Sequence, residues 1–174
     1  MLANETLYFR APEPEDLDFF FQWENDTDLW KYGSTIAPFS QYTLKQYIAA
    51  GVDFYTDKQV RLMVVLKETQ EVVGSVDLFD YDVFHQRAAV GILIDRAHQR
   101  QGLGEQALEL LKNYATEFLG IRLLYAHVPE KNKESVSLFG KVGFEQTGIL
   151  RSWIRIGRTY SDVFVMQYHR PELV

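Results

Sequence analysis

Gln99-Arg100-Gln101-Gly102-Leu103-Gly104 stands between an apolar run that ends at Ile94 and a stretch in which Leu103, Ala107, Leu110, Leu111, Tyr114 and Phe118 recur at spacings of 4, 3, 1, 3 and 4. Those spacings lay one continuous apolar stripe along a helix from Gly102 to about Phe118. Two glycines at its start let the backbone approach a ligand closely, and the amides of a first helical turn have no partner within the helix. The stretch therefore reads as strand, loop and helix N-terminus arranged to hold an anion, most naturally a pyrophosphate.

Upstream of this stretch the pattern is mostly extended. Arg61 to Lys67, Val72 to Phe79 and Arg87 to Ile94 are strand-like runs, the first two separated by a turn at Glu68 to Gln70, and they predict an antiparallel meander. Before them come a short strand at Thr6 to Arg10 and a helix that starts after Pro12 and Pro14 and ends near Asn25. A further helix is predicted from a Ser40 cap to Gly51. Downstream, Leu123 to Val128 is a strand, Asn132 to Val142 a helix capped by Asn132 and stopped by Gly143, and two closing strands flank Gly157. A helical crossover between the strands at 87–94 and 121–128 makes that pair parallel. The expected fold is α/β (α+β): a mixed, mostly antiparallel sheet of six to seven strands flanked by about four helices, with a splayed parallel pair at its centre.

Composition narrows the chemistry. The chain has 174 residues, with 47% hydrophobic and 14% aromatic, enough to bury one core and to exclude wholesale disorder; one domain over 1–174 is expected. The longest apolar run, Ala88 to Ile94, is far below the roughly 20 residues of a membrane helix, and the start of the chain does not resemble a signal peptide. No membrane partner and a cytoplasmic location are therefore expected. Without cysteine there is no thiolate metal site and no cysteine nucleophile, and the four histidines show no ligand spacing, so no metal is expected. A net charge of −6 disfavours nucleic acid as a partner and mildly favours a cationic one.

Gly102, Gly104 and Ala107 also fit the G-x-G-x-x-A form of a dinucleotide fingerprint. That reading fails on spacing: seven residues separate Ile94 from Gly102, and the acidic residue due about 20 positions later is replaced by Ile121 to Ala126. A Walker loop fails because no Gly-Lys-Ser/Thr follows. Thirty residues downstream of Gly102 stands a second signature: a strand ending at Val128, then Asn132, Ser135, Phe139, Gly143 and Phe144. Together the two pieces resemble the Gcn5-related N-acetyltransferase (GNAT) superfamily, with Gln99 to Gly104 as its R/Q-x-x-G-x-G/A motif. Leu7 to Arg10, Glu15, Asp16, Trp23 to Asp26, and the closing Gly157, Tyr160 and Asp162 are similar to the branch that acetylates ribosomal protein N-termini and polyamines.

The resemblance implies acetyl-CoA as cosubstrate, and a primary amine on a polyamine, a protein N-terminus or another small molecule as acceptor, with a homodimer among the assemblies it allows. It implies that Ile92, Leu93 and Ile94 pair with the pantetheine arm and that Gln99, Arg100, Gln101, Gly102, Leu103 and Gly104 hold the pyrophosphate. Asn132, Ser135 and Phe139 lie near the cofactor by the same correspondence, and an N–H near Leu93 polarises the thioester. A primary amine is protonated at neutral pH, so exposing its lone pair costs on the order of 4 to 5 kcal/mol without help. The family's usual tyrosine acid and strand glutamate are here Phe139 and Ala89. The expected substitutes are Ser135, one turn before Phe139, as acid and His127 as base, with Trp23, Glu24, Asp77, Asp80 and Tyr160 on the acceptor side and water as a proton relay. Loss of both usual groups keeps a second reading open, a non-catalytic acyl-CoA-binding or sensing protein.

Overall fold

The computed structural model describes residues 2–33 and 35–171. Its elements are β1 (Leu7–Arg10), a 3-10 turn (Pro14–Asp16), α1 (Leu17–Glu24), α2 (Thr27–Trp30), α3 (Gln41–Ala50), α4 (Phe54–Asp57), β2 (Val60–Leu66), β3 (Val72–Asp82) and β4 (Arg87–Ile94). A 3-10 turn (Arg96–His98) then leads to α5 (Leu103–Asn113), a π-helical turn (Tyr114–Phe118), β5 (Leu123–Pro129), α6 (Lys133–Lys141), β6 (Glu145–Ile156) and β7 (Thr159–His169). The strands form one seven-stranded sheet in the order β1-β2-β3-β4-β5-β7-β6. Every neighbouring pair is antiparallel except β4 and β5.

That parallel pair is short. Arg87, Ala88 and Ala89 stand opposite Leu123, Leu124 and Tyr125, and no pairing follows. On its other side β4 remains in register with β3 as far as Ile94 opposite Gly74. The edge of residues 90–94 that faces β5 therefore has no strand partner, and the sheet opens there. Gly74 secures this last pairing: a Cβ at that position would lie 2.1 Å from the Leu93 carbonyl oxygen, so only a residue without one lets β3 and β4 approach this closely.

Alternation along the strands divides the core between two faces. Val64, Val76, Leu78, Val90, Leu124, Ala126 and Val128 pack against the α5 stripe and Phe139 of α6. Met63, Val65 and Val72 pack on the opposite face against Phe20 and Trp23 of α1 and Leu44 of α3. The predicted Ser40 cap is present, its hydroxyl accepting the Thr43 N–H at 3.1 Å. Two one-turn helices, α2 and α4, lie where loop was expected; each starts from an aspartate, Asp26 or Asp53, that caps its first turn. The expected helix to Phe118 changes to π geometry after Asn113. There the Thr116 hydroxyl donates to the Lys112 carbonyl at 3.0 Å, competing for the oxygen that would continue the α ladder. Among the described residues no helix is long and apolar enough to cross a membrane.

The N-terminal segment is fixed to the sheet by a charge pair. Arg10 of β1 holds Asp16 with two hydrogen bonds, of 2.6 and 2.8 Å, and the same carboxylate accepts the Glu13 N–H at 2.8 Å. Asp16 is 1% exposed. Burial opposes its charge, but Arg10 and the Glu13 amide more than compensate and hold the carboxyl below the usual aspartate range. The stability this charge supplies is therefore complete above the ordinary aspartate pKa and is lost as pH falls through the lowered one. Asp16→Ala should cost about 2 to 4 kcal/mol in urea unfolding at pH 7, since it strands the Arg10 guanidinium, with a smaller penalty at pH 3.

Candidate active site

Where β4 has left β5, residues 91–94 line a cleft of about 940 Å³ that also borders α1, α2 and α6. Its lining runs from the Gly102 loop past Ile92, Leu93 and Ile94 to Ser75, Asp77 and Arg61 on the sheet and to Trp23 and Glu24 of α1. At the loop end Gly102 takes the N-cap position of α5 with φ 75°, a left-handed conformation natural to glycine, and provides no side chain to cap the first turn. The first-turn amides of an 11-residue helix thus stand without a side-chain cap at the cleft. A Cβ at Gly102 would meet nothing within 4 Å, whereas one at Gly104 would stand 3.4 Å from Leu138 and 3.6 Å from Ile94. A bulky residue at Gly104 would therefore disturb the packing of α6 as well as the loop.

Side chains around the loop brace it or border the cleft. The Gln99 amide donates to the Ile94 carbonyl at 3.0 Å and clamps the loop to the end of β4. Arg100 lies at φ 62° with its side chain 88% exposed, 3.4 Å from Glu134, and Lys133 and Lys141 of α6 also line the cleft. Asn132 caps α6, accepting the Ser135 N–H at 3.2 Å, and both residues border the cleft.

The other end is held by α1 and α2. The Trp23 indole N–H donates to Asp95 at 3.1 Å, and Arg96 reaches Asp26 at 2.8 Å and Asp28 at 3.0 Å. On the sheet, Arg61 donates through Nε to Asp77 and through Nη1 to Glu24, both at 2.5 Å. Its guanidinium also lies 5.4 Å from the Phe20 ring centre and 6.0 Å from that of Tyr47. Burial disfavours the Arg61 charge, but Asp77 and Glu24 outweigh it and raise the pKa. Burial likewise pushes the Asp77 carboxyl above its ordinary value, with Arg61 opposing the shift and Glu24 adding to it.

Of the residues expected at the site, the cleft brings together Trp23, Glu24, Asp77, Ile92, Leu93, Ile94, Gln99, Arg100, Gly102, Gly104, Asn132 and Ser135. Others stand elsewhere. Phe139 is 4% exposed, with its ring edge-on to Phe144 in the core, and Leu103 is 5% exposed, because both lie on the apolar faces of their helices. The Gln101 side chain folds back onto the Ala97 carbonyl at 3.2 Å. His127 is an exposed β5 residue opposite Val165, its ring 5.6 Å from Tyr125; its neighbours Ala126 and Val128 take the core-facing positions. Asp80 is exposed at φ 51° in a bulge that breaks the β3 alternation, and Tyr160 is 64% exposed near the β6–β7 turn. Sequence reading missed Arg61. Its signal was a charge placed in step with Met63 and Val65 on a face that is otherwise buried.

Residues 6–145 match the family model for an acetyltransferase (GNAT) domain. The chain belongs to that family. Among relatives of this acetyltransferase, an uncharacterized N-acetyltransferase, p20 of Bacillus licheniformis, is 28% identical over 98% of the chain and 97% of the relative. A spermidine N(1)-acetyltransferase of Vibrio cholerae is 26% identical over 92% of the chain and 91% of its own length. A crystal structure of spermidine N-acetyltransferase from Vibrio cholerae, in complex with CoA and spermine, superposes on this acetyltransferase with a TM-score of 0.85 at 25% identity, covering 95% and 96% of the two chains.

Removing the α6 cap separates its structural role from any ligand role. Asn132→Ala should lower stability by about 1 kcal/mol in urea unfolding, and Asn132→Asp, which keeps the acceptor oxygen, should recover most of it.

Proposed function

We propose that the protein, as one domain over 1–174, transfers the acetyl group of acetyl-CoA to a primary amine by direct attack in a ternary complex. The observation that carries this reading is the unpaired edge of β4 at residues 90–94, continuous in one cleft with the uncapped N-terminus of α5. An extended pantetheine arm has the amide groups to complete that edge as a short strand would. The pyrophosphate has the first-turn amides behind Gly102, with Arg100, Lys133 and Lys141 nearby as cations. Both features fit the donor, and the CoA complex of the Vibrio cholerae enzyme supports the same assignment. The proposed compartment is the cytoplasm, consistent with an acyl donor that is a cytoplasmic metabolite.

Two demands of the reaction fall on groups of this chain. A backbone N–H near Leu93 stabilises negative charge as it develops on the thioester oxygen, at no cost in reorganisation because the strand is already fixed by β3. The departing sulfur gains from a proton donor, and the hydroxyl of Ser135, at the cleft in the first turn of α6, is the proposed donor in place of the buried Phe139. The proposed acceptors are small-molecule or peptide amines, entering from the side of Trp23, Glu24 and Asp77.

Acetyl-CoA should bind in calorimetry, and CoA should be released in a thiol assay once an amine is added. Tight binding with no release across polyamines, peptides and monoamines would instead identify an acyl-CoA sensor. Ser135→Ala should lower kcat by about 10-fold or more while leaving acetyl-CoA affinity unchanged; equal turnover would remove its role as acid.

A further inference from the structure

Arg61 of β2, Asp77 of β3 and Glu24 of α1 meet on one wall of the cleft, and one guanidinium serves two carboxylates. The group carries one uncompensated negative charge. The two oxygens of Asp77 differ: Oδ1 accepts from Arg61 Nε, while Oδ2 accepts no hydrogen bond from a described residue. Asp77 stands opposite Gly91 on β4, and a Cβ at Gly91 would lie 3.3 Å from Oδ2. The absent side chain leaves that oxygen open to the cleft, next to the strand segment 92–94. Asp26 and Asp28 likewise share one guanidinium, that of Arg96, and only with the ammonium of Lys31 on the same wall do the charges there sum to zero. Lys31 lines the same wall with no ion pair among the described residues, its ammonium lying over the Tyr32 ring at 5.1 Å.

We propose that Asp77 Oδ2, positioned by Arg61, seats the acceptor's ammonium group and takes its proton, and that the site selects acceptors bearing one ammonium with a neutral or anionic remainder. The inference rests on the acetyl-transfer reading above. One proton passes from R–NH3+ to Oδ2, and the nitrogen lone pair then forms the C–N bond to the thioester carbonyl. The C–S bond breaks, Ser135 gives its hydroxyl proton to the sulfur to form CoA thiol and is restored by the second nitrogen proton, and Asp77 returns its proton to solvent. A single net negative charge balances one ammonium. A linear polyamine would bring further ammonium groups towards Lys31, Arg96, Asp26 and Asp28, whose charges sum to zero, whereas the carboxylate of a short peptide or amino acid finds the unpaired Lys31 there.

Asp77 is faced by Arg61 from β2, Glu24 from α1, Tyr47 from α3 and the uncharged Gly91 from β4. Burial raises its carboxyl pKa, bringing a base closer to working pH. As a base it acts when deprotonated, so wild-type kcat/KM should rise with pH as Asp77 loses its proton.

The test uses the full chain with saturating acetyl-CoA and three acceptors: a tripeptide with a free α-amine and carboxylate, n-butylamine and spermidine. Wild type should give higher kcat/KM with the two singly charged acceptors than with spermidine. Asp77→Asn should lower kcat about 100-fold or more at pH 7 with acetyl-CoA affinity within about twofold, and with the tripeptide the deficit should shrink near pH 10, where its α-amine is already neutral. Gly91→Ala, which retains Asp77 but crowds Oδ2, should raise KM for the amine. The proposal is overturned by an Asp77→Asn deficit that is absent or independent of pH, or by spermidine as the preferred acceptor. If wild type binds no acetyl-CoA and acetylates none of the three, acetyl transfer itself fails, a result distinct from active enzyme indifferent to Asp77.

Discussion

Three residue pairs hold β4 to β5, and the active cleft exists because there are not more. A parallel pair continued through Ile94 would satisfy every backbone group and close the sheet. Here β4 is retained by β3 over its whole length while β5 is retained by β7 from Leu123 to Pro129, so each diverging strand keeps one complete ladder. The unpaired edge is thus the limited cost of a split between two stable half-sheets, with α5 and α6 covering the seam from one side. The crossover from β4 to β5 places the uncapped start of α5 at the mouth of that split, so the anion-holding loop and the free edge come from one topological decision.

The elements legible in the sequence were those whose side chains follow a simple period. The α5 stripe, the alternation in β2 to β4, the Ser40 and Asn132 caps and the glycine stop at Gly143 all express local rules, and the structure keeps them. The π turn at Tyr114–Phe118 was not legible, because it depends on one hydroxyl competing for one carbonyl. Nor were the positions of His127 and Asp80: the first depends on which face of β5 meets α5, the second on a bulge in β3. Arg61 shows the opposite limit. Its place in a buried alternation was visible, but its partners lie 37 and 16 residues away and only the folded sheet brings them together.

Charge in this protein is informative locally rather than globally. The chain carries −6, yet at this end of the cleft each of two guanidiniums, Arg61 and Arg96, is shared by two carboxylates, so the local excess is small. These guanidiniums also join separate elements, Arg61 linking α1 to β2 and β3 and Arg96 linking α2 to the turn after β4. Trp23 adds a hydrogen bond from α1 to Asp95 in that same turn. The wall formed by Arg61, Asp77 and Glu24 is therefore mechanically continuous with the turn after β4.

Gly74 does not line the cleft, yet the close approach of β3 to β4 depends on it, since the Leu93 carbonyl occupies the space of its missing side chain. In a mutational scan scored by activity alone, position 74 would be as intolerant as a residue that touches substrate. Evolutionary constraint in this fold thus marks two kinds of position with the same signature: those that meet the reacting atoms, and those where the backbone leaves no volume for a methyl group.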